Sequence, residues 1–392
     1  MIITRENTGE LSAIVKIGIE PKDYSEAVEK VIHDYKRKSN IPGFRPGHVP
    51  MGLIKKMYGK AILAEEVNKL ISESLMKYIK DENLEILGNP LPNQEKNSVV
   101  DFENQTDFDF FFDLGFAPTF TIPFTKDTEI EYYKIGVDDN MIDKYVEDTQ
   151  KRYGKPISTE NQETDNQDNK EEPKMVPSDL NPEFFNRVYP GQNIETEEDF
   201  REQVKKDASN GFAAEADKLF YHTATETLVK KTDIQLPDSF LKRWILESNE
   251  GKFTEQDVEK DFSSFVESMK WQLIENKLIK DHHIEVKEED IRNYIRTNIF
   301  RQLTPENLDP ENQKKYETIV DAFMQNKEQV QRINDQLYNA RILELFKTDL
   351  GIIEKEVSYE DFIKLVSASH EHEYEHEYEH EHEHEPDEDH AQ

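Results

Sequence analysis

The sequence contains no cysteine, so disulfides and thiolate chemistry are excluded. It has no run of about 18 apolar residues, so no segment reads as a membrane-spanning helix. The opening Met1-Ile2-Ile3-Thr4-Arg5-Glu6-Asn7 lacks a basic stretch followed by an apolar one, so no secretory signal is read there. The expected location is the cytoplasm, with no membrane partner. Glycine-rich phosphate loops and nucleophile elbows are missing as well. His33, His48, His222, His282 and His283 are scattered. His282-His283, near a helix end, reads as a solvated cation pair rather than a metal site. No catalytic constellation and no cofactor is expected, and the chain reads as a non-enzyme. Positive charge is scarce too: 49 Lys and Arg against 83 Asp and Glu give a net charge of −34. Such a chain is repelled by nucleic acid and anionic membrane unless a local exception exists.

Hydrophobic residues make up 35% and charged residues 34%, a balance that favours long solvated helices over one compact ball. The first 120 residues read as α+β. Leu11–Ile19 and Asp107–Phe116 have strand composition. Helices are expected from Pro21, with Ala27, Val28, Val31, Ile32 and Tyr35 as its stripe, and from Ala61 to about Lys80. A short helix is expected at Asp138–Tyr153. Ser158–Lys174 then lacks any aliphatic or aromatic residue and reads as a disordered linker.

From Leu180 to about Val366 the pattern is helical. Thr196 opens a long helix in which Phe200, Val204, Ala208, Phe212, Ala216, Phe220, Ala224 and Leu228 recur every fourth position. A step of four drifts by about 40°, so this stripe winds around the helix and meets different neighbours along its length. Further helices are expected from Thr254, over Glu288–Leu303, and over Lys314–Leu350 with Gly351 as the stop. The fold class expected is an α+β N-terminal domain followed by an elongated, mainly α-helical body with arm-like helices. The boundaries expected are 1–120 (α+β), 121–157 (linking strand and helix), 158–178 (acidic linker), 179–369 (helical domain) and 370–392 (tail).

The local exception to the acidic average lies at Tyr35–Ala64, thirty residues without an Asp or Glu. They carry Lys36, Arg37, Lys38, Arg45, Lys55, Lys56 and Lys60. Two readings stand: an ordinary solvated basic face, or a docking patch for an anionic partner. Within it, Ile41-Pro42-Gly43-Phe44-Arg45-Pro46-Gly47-His48-Val49-Pro50 holds two glycines and three prolines, which exclude helix and central strand. The prolines stiffen the loop and lower its ordering cost on binding. Phe44 offers an apolar wedge unless it folds back as a plug. Arg45 offers a forked cation for carboxylate or phosphate.

The run Gly43-Phe44-Arg45-Pro46-Gly47-His48-Val49-Pro50 resembles the ribosome-docking signature of bacterial trigger factors, G-F-R-x-G-x-x-P. Leu180–Phe185, the helix from Thr196, Ile234–Leu241 and Trp271–Leu278 are similar to the start of that family's C-terminal chaperone body. The wording is nearest to Bacteroidetes-type members. The resemblance implies an ATP-independent chaperone that docks on the large ribosomal subunit, protein and RNA, beside the exit tunnel. Its implied docking residues are Gly43, Phe44, Arg45, Pro46, Gly47 and His48, flanked by Lys36, Arg37, Lys38, Lys55 and Lys56. Many members carry Lys where this chain has Pro46 and His48, so two cations are missing from the tip. Unfolded nascent polypeptides are the second implied partner, and a homodimer off the ribosome is left open. Phe212, Phe220, Phe262, Phe265, Met269 and Phe323 are candidates for contacting them, against the alternative of plain core packing. The family's FKBP-like prolyl isomerase domain needs on the order of 90 residues. The interval from Lys155 to Asp179 has about 25 and no aromatic, a tether of roughly 25–30 Å, so no isomerase activity is expected.

The tail from His370 alternates histidine and acid. His370, His372, His376, His380, His382 and His384 are candidate ligands for a divalent metal, against the alternative of a solubilising tail. Competing readings are a ribosome-independent holdase, an RNA-binding protein using the basic island, and a metal-buffering protein.

Overall fold

The computed structural model describes residues 1–38, 41–42, 44–45, 48–97, 100–102, 106–153, 155–156, 175–249, 251–299 and 310–367. In chain order the elements are β1 (Ile2–Asn7), β2 (Ser12–Ile19), α1 (Pro21–Lys38), α2 (Met51–Asp81), β3 (Leu91–Pro92), β4 (Phe108–Gly115), β5 (Glu129–Ile135) and α3 (Asp139–Arg152). There follow β6 (Lys155–Pro156), β7 (Met175–Val176), α4 (Pro182–Val188), α5 (Glu197–Lys231), α6 (Asp238–Ser248) and α7 (Glu255–Asp281). The last are α8 (Glu288–Tyr294), α9 (Pro310–Met324), α10 (Lys327–Asp349), β8 (Gly351–Val357) and a helix at 359–367, here α11. The chain divides into two compact units. One comprises 1–121 with 232–273, the other 122–231 with 274–392.

The first unit is built on an antiparallel sheet in the order β1-β2-β4-β3. Strict alternation in β2 sends Ala13, Val15, Ile17 and Ile19 into the core. There they meet Phe108 and Leu114 of β4, and Val67, Ile71, Leu75 and Ile79 from one face of α2. A second cluster joins Leu87 and Leu91 to Phe240 and Leu241 of α6, with Trp244 half-buried beside them. Gly88 is required there: its φ is +68°, and a Cβ would lie 2.5 Å from the Trp244 indole nitrogen. Arg243 closes the cluster with a 2.7 Å ion pair to Asp113.

In the second unit the four-residue stripe of α5 meets different neighbours as it turns. Phe200 and Val204 pack with Phe184 and Phe185 of α4 and Ile142 and Val146 of α3. A turn or more later, Ala216 and Leu219 pack with Phe362 of α11 and Tyr132 of β5. The helix starts are chemically marked. The Asp138, Asn181 and Asn326 side chains accept from backbone N–H groups at the openings of α3, α4 and α10. Thr196 does the same for α5: its hydroxyl accepts from the Asp199 N–H at 3.1 Å and donates to the Asp199 carboxylate at 2.6 Å. β5 and β8 pair in parallel from Glu129↔Gly351 to Ile135↔Val357.

Several sequence expectations are corrected. α2 begins at Met51 rather than Ala61, because Ile54 and Ile62 are buried against Ile32 and Val49 and outweigh the low helix propensity of Gly52 and Gly59. The helix expected over Lys314–Leu350 is two helices, broken at Gln325–Asn326, where Asn326 caps α10. Gly351 does stop α10, but it also starts β8. The helix from Glu288 changes to a π-turn at Ile295–Ile299, and 300–309 lie outside the described residues.

Phe200 is the centre of the α3–α4–α5 packing, with ring centroids 4.7 Å from Phe185 and 5.4 Å from Phe184. Phe200→Ala should lower the stability of this unit by about 3–5 kcal/mol. A chemical denaturation curve followed by circular dichroism would show the earlier transition; an unchanged midpoint would contradict this packing.

Candidate partner-docking site

The basic island forms the last turn of α1, the following loop and the first turns of α2. Lys36, Arg37 and Lys38 close α1, where cations suit the negative end of the helix dipole. Pro50 precedes α2, and its carbonyl accepts from Leu53 and Ile54 at 3.0 and 3.3 Å. The loop is pinned from below. Val49 has no exposed surface, and it packs with Ile32, Ile54 and Ile62 beside the partly buried Ile41.

Above these anchors the backbone turns twice. The Phe44 N–H donates to the Ile41 carbonyl at 3.0 Å, and the His48 N–H donates to the Arg45 carbonyl at 2.9 Å. Phe44 and Arg45 thus sit between two tight turns, and both are exposed, Phe44 at 39%. Phe44 does not fold back as a plug. His48 is exposed beside them, while Gly43, Pro46 and Gly47 lie outside the described residues.

The electrostatics are one-sided. Arg37 pairs with Asp34, and this hydrogen bond holds the Asp34 carboxyl below its usual range. Among the described residues, no carboxylate lies within ion-pair distance of Arg45, Lys36, Lys38, Lys55 or Lys56. Tyr35 is exposed on the same stretch, its ring 5.6 Å from that of Tyr58. Such a surface can hold an anion through cations that no internal partner occupies, and can seat an apolar contact on Phe44.

The apolar candidates separate. Phe220 is 1% exposed and packs edge-on against Tyr132, so it belongs to the core and offers no surface. Phe212 is half-buried, 5.3 Å from the exposed Tyr359 ring. Phe262, Phe265 and Met269 are half-buried over the Leu87–Phe240 cluster of the first unit. Phe323 is half-buried over Ile291, Ile295 and Tyr316 in the second. The second unit also has a groove of about 690 Å³, which the periodicity did not reveal. Leu219, Tyr221 and His222 of α5, Ala340 and Leu343 of α10 and Val366 of α11 line it. Its only sequence signal is the pair of small residues Ala214 and Ala340, which leave room between helices.

His282 and His283 follow the end of α7, with His283 in the left-handed region at φ +53° and the His282 ring 5.4 Å edge-on from Phe124. Among the described residues, no group of three or more His, Cys, Asp or Glu is placed to hold a metal. The tail histidines lie outside the described residues. No helix among the described residues is long and apolar enough to cross a membrane.

Residues 1–149 match the family model described as bacterial trigger factor protein, and residues 216–366 match that described as probable trigger factor, C-terminal domain. The trigger factor of Treponema denticola is 25% identical over 332 residues, covering 76% of this chain and 72% of that protein. That of Acidiphilium cryptum is 30% identical over 146 residues, covering 37% and 32%. That of Pelagibacter ubique is 23% identical, covering 38% and 31%. Several curated relatives are thus matched over only about a third of their length. A trigger factor chaperone, solved in work on promiscuous substrate recognition in folding and assembly, superposes with a TM-score of 0.52 at 13% identity. That likeness covers 88% of this chain and 99% of that one, and it shows the fold.

Near the groove, burial and then the charge of Asp335 raise the Glu275 carboxyl above its usual range, and Glu275 in turn raises the Tyr221 phenol, already raised chiefly by its own burial. A raised carboxyl favours folding when protonated, and that contribution fades as pH climbs through the folded value. Glu275→Gln should therefore raise the melting temperature at pH 7 and lose that gain below the ordinary glutamate range. Thermal melts at pH 7 and pH 4 would check it; a gain equal at both would contradict the sign.

Proposed function

Because the chain belongs to the bacterial trigger factor family, we propose that it is an ATP-independent chaperone that docks on the large ribosomal subunit beside the nascent-chain exit. The contact is made by the Gly43–Val49 loop with Lys36, Arg37, Lys38, Lys55 and Lys56 around it. The observation that carries the proposal is the exposed Phe44–Arg45 tip, in a stretch where Arg45, Lys36, Lys38, Lys55 and Lys56 have no carboxylate within ion-pair distance among the described residues. Ribosomal RNA is anionic and repels a chain of net charge −34, yet attracts this one stretch. The molecule is therefore oriented as it binds, island first. The flanking cations make good the two that Pro46 and His48 take from the tip.

Shielding of emerging chains needs apolar surface offered reversibly. The groove along Leu219, Leu343 and Val366, and the half-buried Phe212, Phe262, Phe265, Met269 and Phe323, are the surfaces that support this role. Met269 supplies a contact that adapts to unlike side chains. No isomerase activity is part of the proposal. The backbone closes at the β6–β7 pair, Lys155↔Val176 and Pro156↔Met175, which leaves only residues 157–174 between. That is well below the roughly 40 residues under which a domain needs disulfides or metal to fold.

The double variant Phe44→Ala with Arg45→Ala tests the docking assignment. Both side chains are exposed, so the fold should be kept. Co-sedimentation with purified ribosomes should fall at least tenfold. A double variant that sediments like the unaltered protein would remove the assignment and leave a ribosome-independent holdase.

A further inference from the structure

The parallel pair β5–β8 has an open side. Its hydrogen bonding can be read from its two ends. The Gly351 N–H donates to the Thr128 carbonyl at 3.0 Å, and the Gly136 N–H donates to the Val357 carbonyl at 3.4 Å. In a strand the N–H and C=O of one residue point the same way, and successive residues alternate. Gly351 and Val357 are both turned toward β5, so Ile353 and Lys355 are too. Ile352, Glu354 and Glu356 therefore turn their N–H and C=O groups outward. Among the described residues, no backbone group meets those three from the other side. Residues 352–356 are exposed throughout.

The side chains do little to guard this edge. Charges on an edge strand ordinarily discourage pairing. Here Glu354 is held by Lys134 at 2.6 Å, and Lys355 is held by Glu131, so both are already neutralised across the ladder. Glu356 has no cation within ion-pair distance among the described residues. Ile352 and Ile353 are 37% and 40% exposed, one on each face of the strand.

We propose that the outer edge of β8 binds an extended, unfolded polypeptide segment, which adds as a third strand and carries apolar residues and a basic one. The proposal rests on the chaperone reading and says how a client is held. Outward N–H and C=O groups at every second residue complement another extended backbone. Main-chain bonds of this kind are indifferent to side-chain identity, as binding of many unrelated clients requires. Ile352 and Ile353 would meet the client's apolar residues, and Glu356 its cation. A second copy of the chain fits poorly. Antiparallel self-pairing centred on Glu354 or Lys355 sets like charges opposite each other, and centring on Ile353 sets Ile352 against Glu354. Each copy also carries a charge of −34.

The test uses the full chain and a labelled peptide of twelve residues alternating valine and threonine, with one lysine. A matched peptide is N-methylated at four successive residues, which blocks both of its edges and keeps its side chains. Residue-resolved amide exchange should show Ile352, Glu354 and Glu356 protected at least tenfold more with the first peptide, and Ile353 and Lys355 unchanged. The methylated peptide should bind at least tenfold more weakly by fluorescence anisotropy. Equal binding of the two peptides, no added protection at the three amides, or no binding of either would overturn the proposal. So would protection that depends on protein concentration without peptide, which would mark self-pairing. Suppression of aggregation of a denatured client by the same protein reports the chaperone reading separately.

Discussion

The burial of Val49 is the contact on which the proposed docking surface depends. A loop with two glycines and three prolines would not hold one shape by itself. Its lower end is fixed because Val49 and Ile41 are packed with Ile32, Ile54 and Ile62 between α1 and α2. With the apolar anchors below, the two turns above are free to present Phe44 and Arg45 outward. Prolines in such a loop lower the entropy it loses on contact.

The same region concentrates what the rest of the chain lacks. Elsewhere lysines and arginines are spent on internal pairs, such as Arg201 with Asp143 and Glu197, Arg292 with Asp321 and Arg296 with Glu317. Around the loop, Arg45, Lys36, Lys38, Lys55 and Lys56 have no such partner among the described residues. The charge arrangement therefore does two things in one molecule. Paired ions lace α8 to α9, and unpaired ones lie along the proposed docking stretch.

Some of this was legible in the residues alone. The alternation of β2, the start of α1 at Pro21 and the cap of α5 at Thr196 follow from local chemistry, which the fold then uses. The loop was legible for the same reason: prolines and glycines rule out regular structure wherever they stand. What was hidden depends on distant partners. β8 is hidden because Gly351 signals a helix end, while its pairing strand lies more than two hundred residues earlier. The break at Gln325–Asn326 was hidden because the apolar pattern runs across it without a shift. Phe220 shows the limit of periodicity most clearly. Its place in the stripe tells which face it occupies, and only Tyr132 from another element decides that this face is covered.

Electrostatic docking has a thermodynamic signature that shape or apolar contact alone does not produce. The most direct measurement is the equilibrium affinity of the full chain for purified large ribosomal subunits across a series of salt concentrations. With several unpaired Lys and Arg side chains displacing counterions from phosphate, log affinity should fall with log salt at a slope of about −3 or steeper. An affinity that stays level as salt rises would contradict the account.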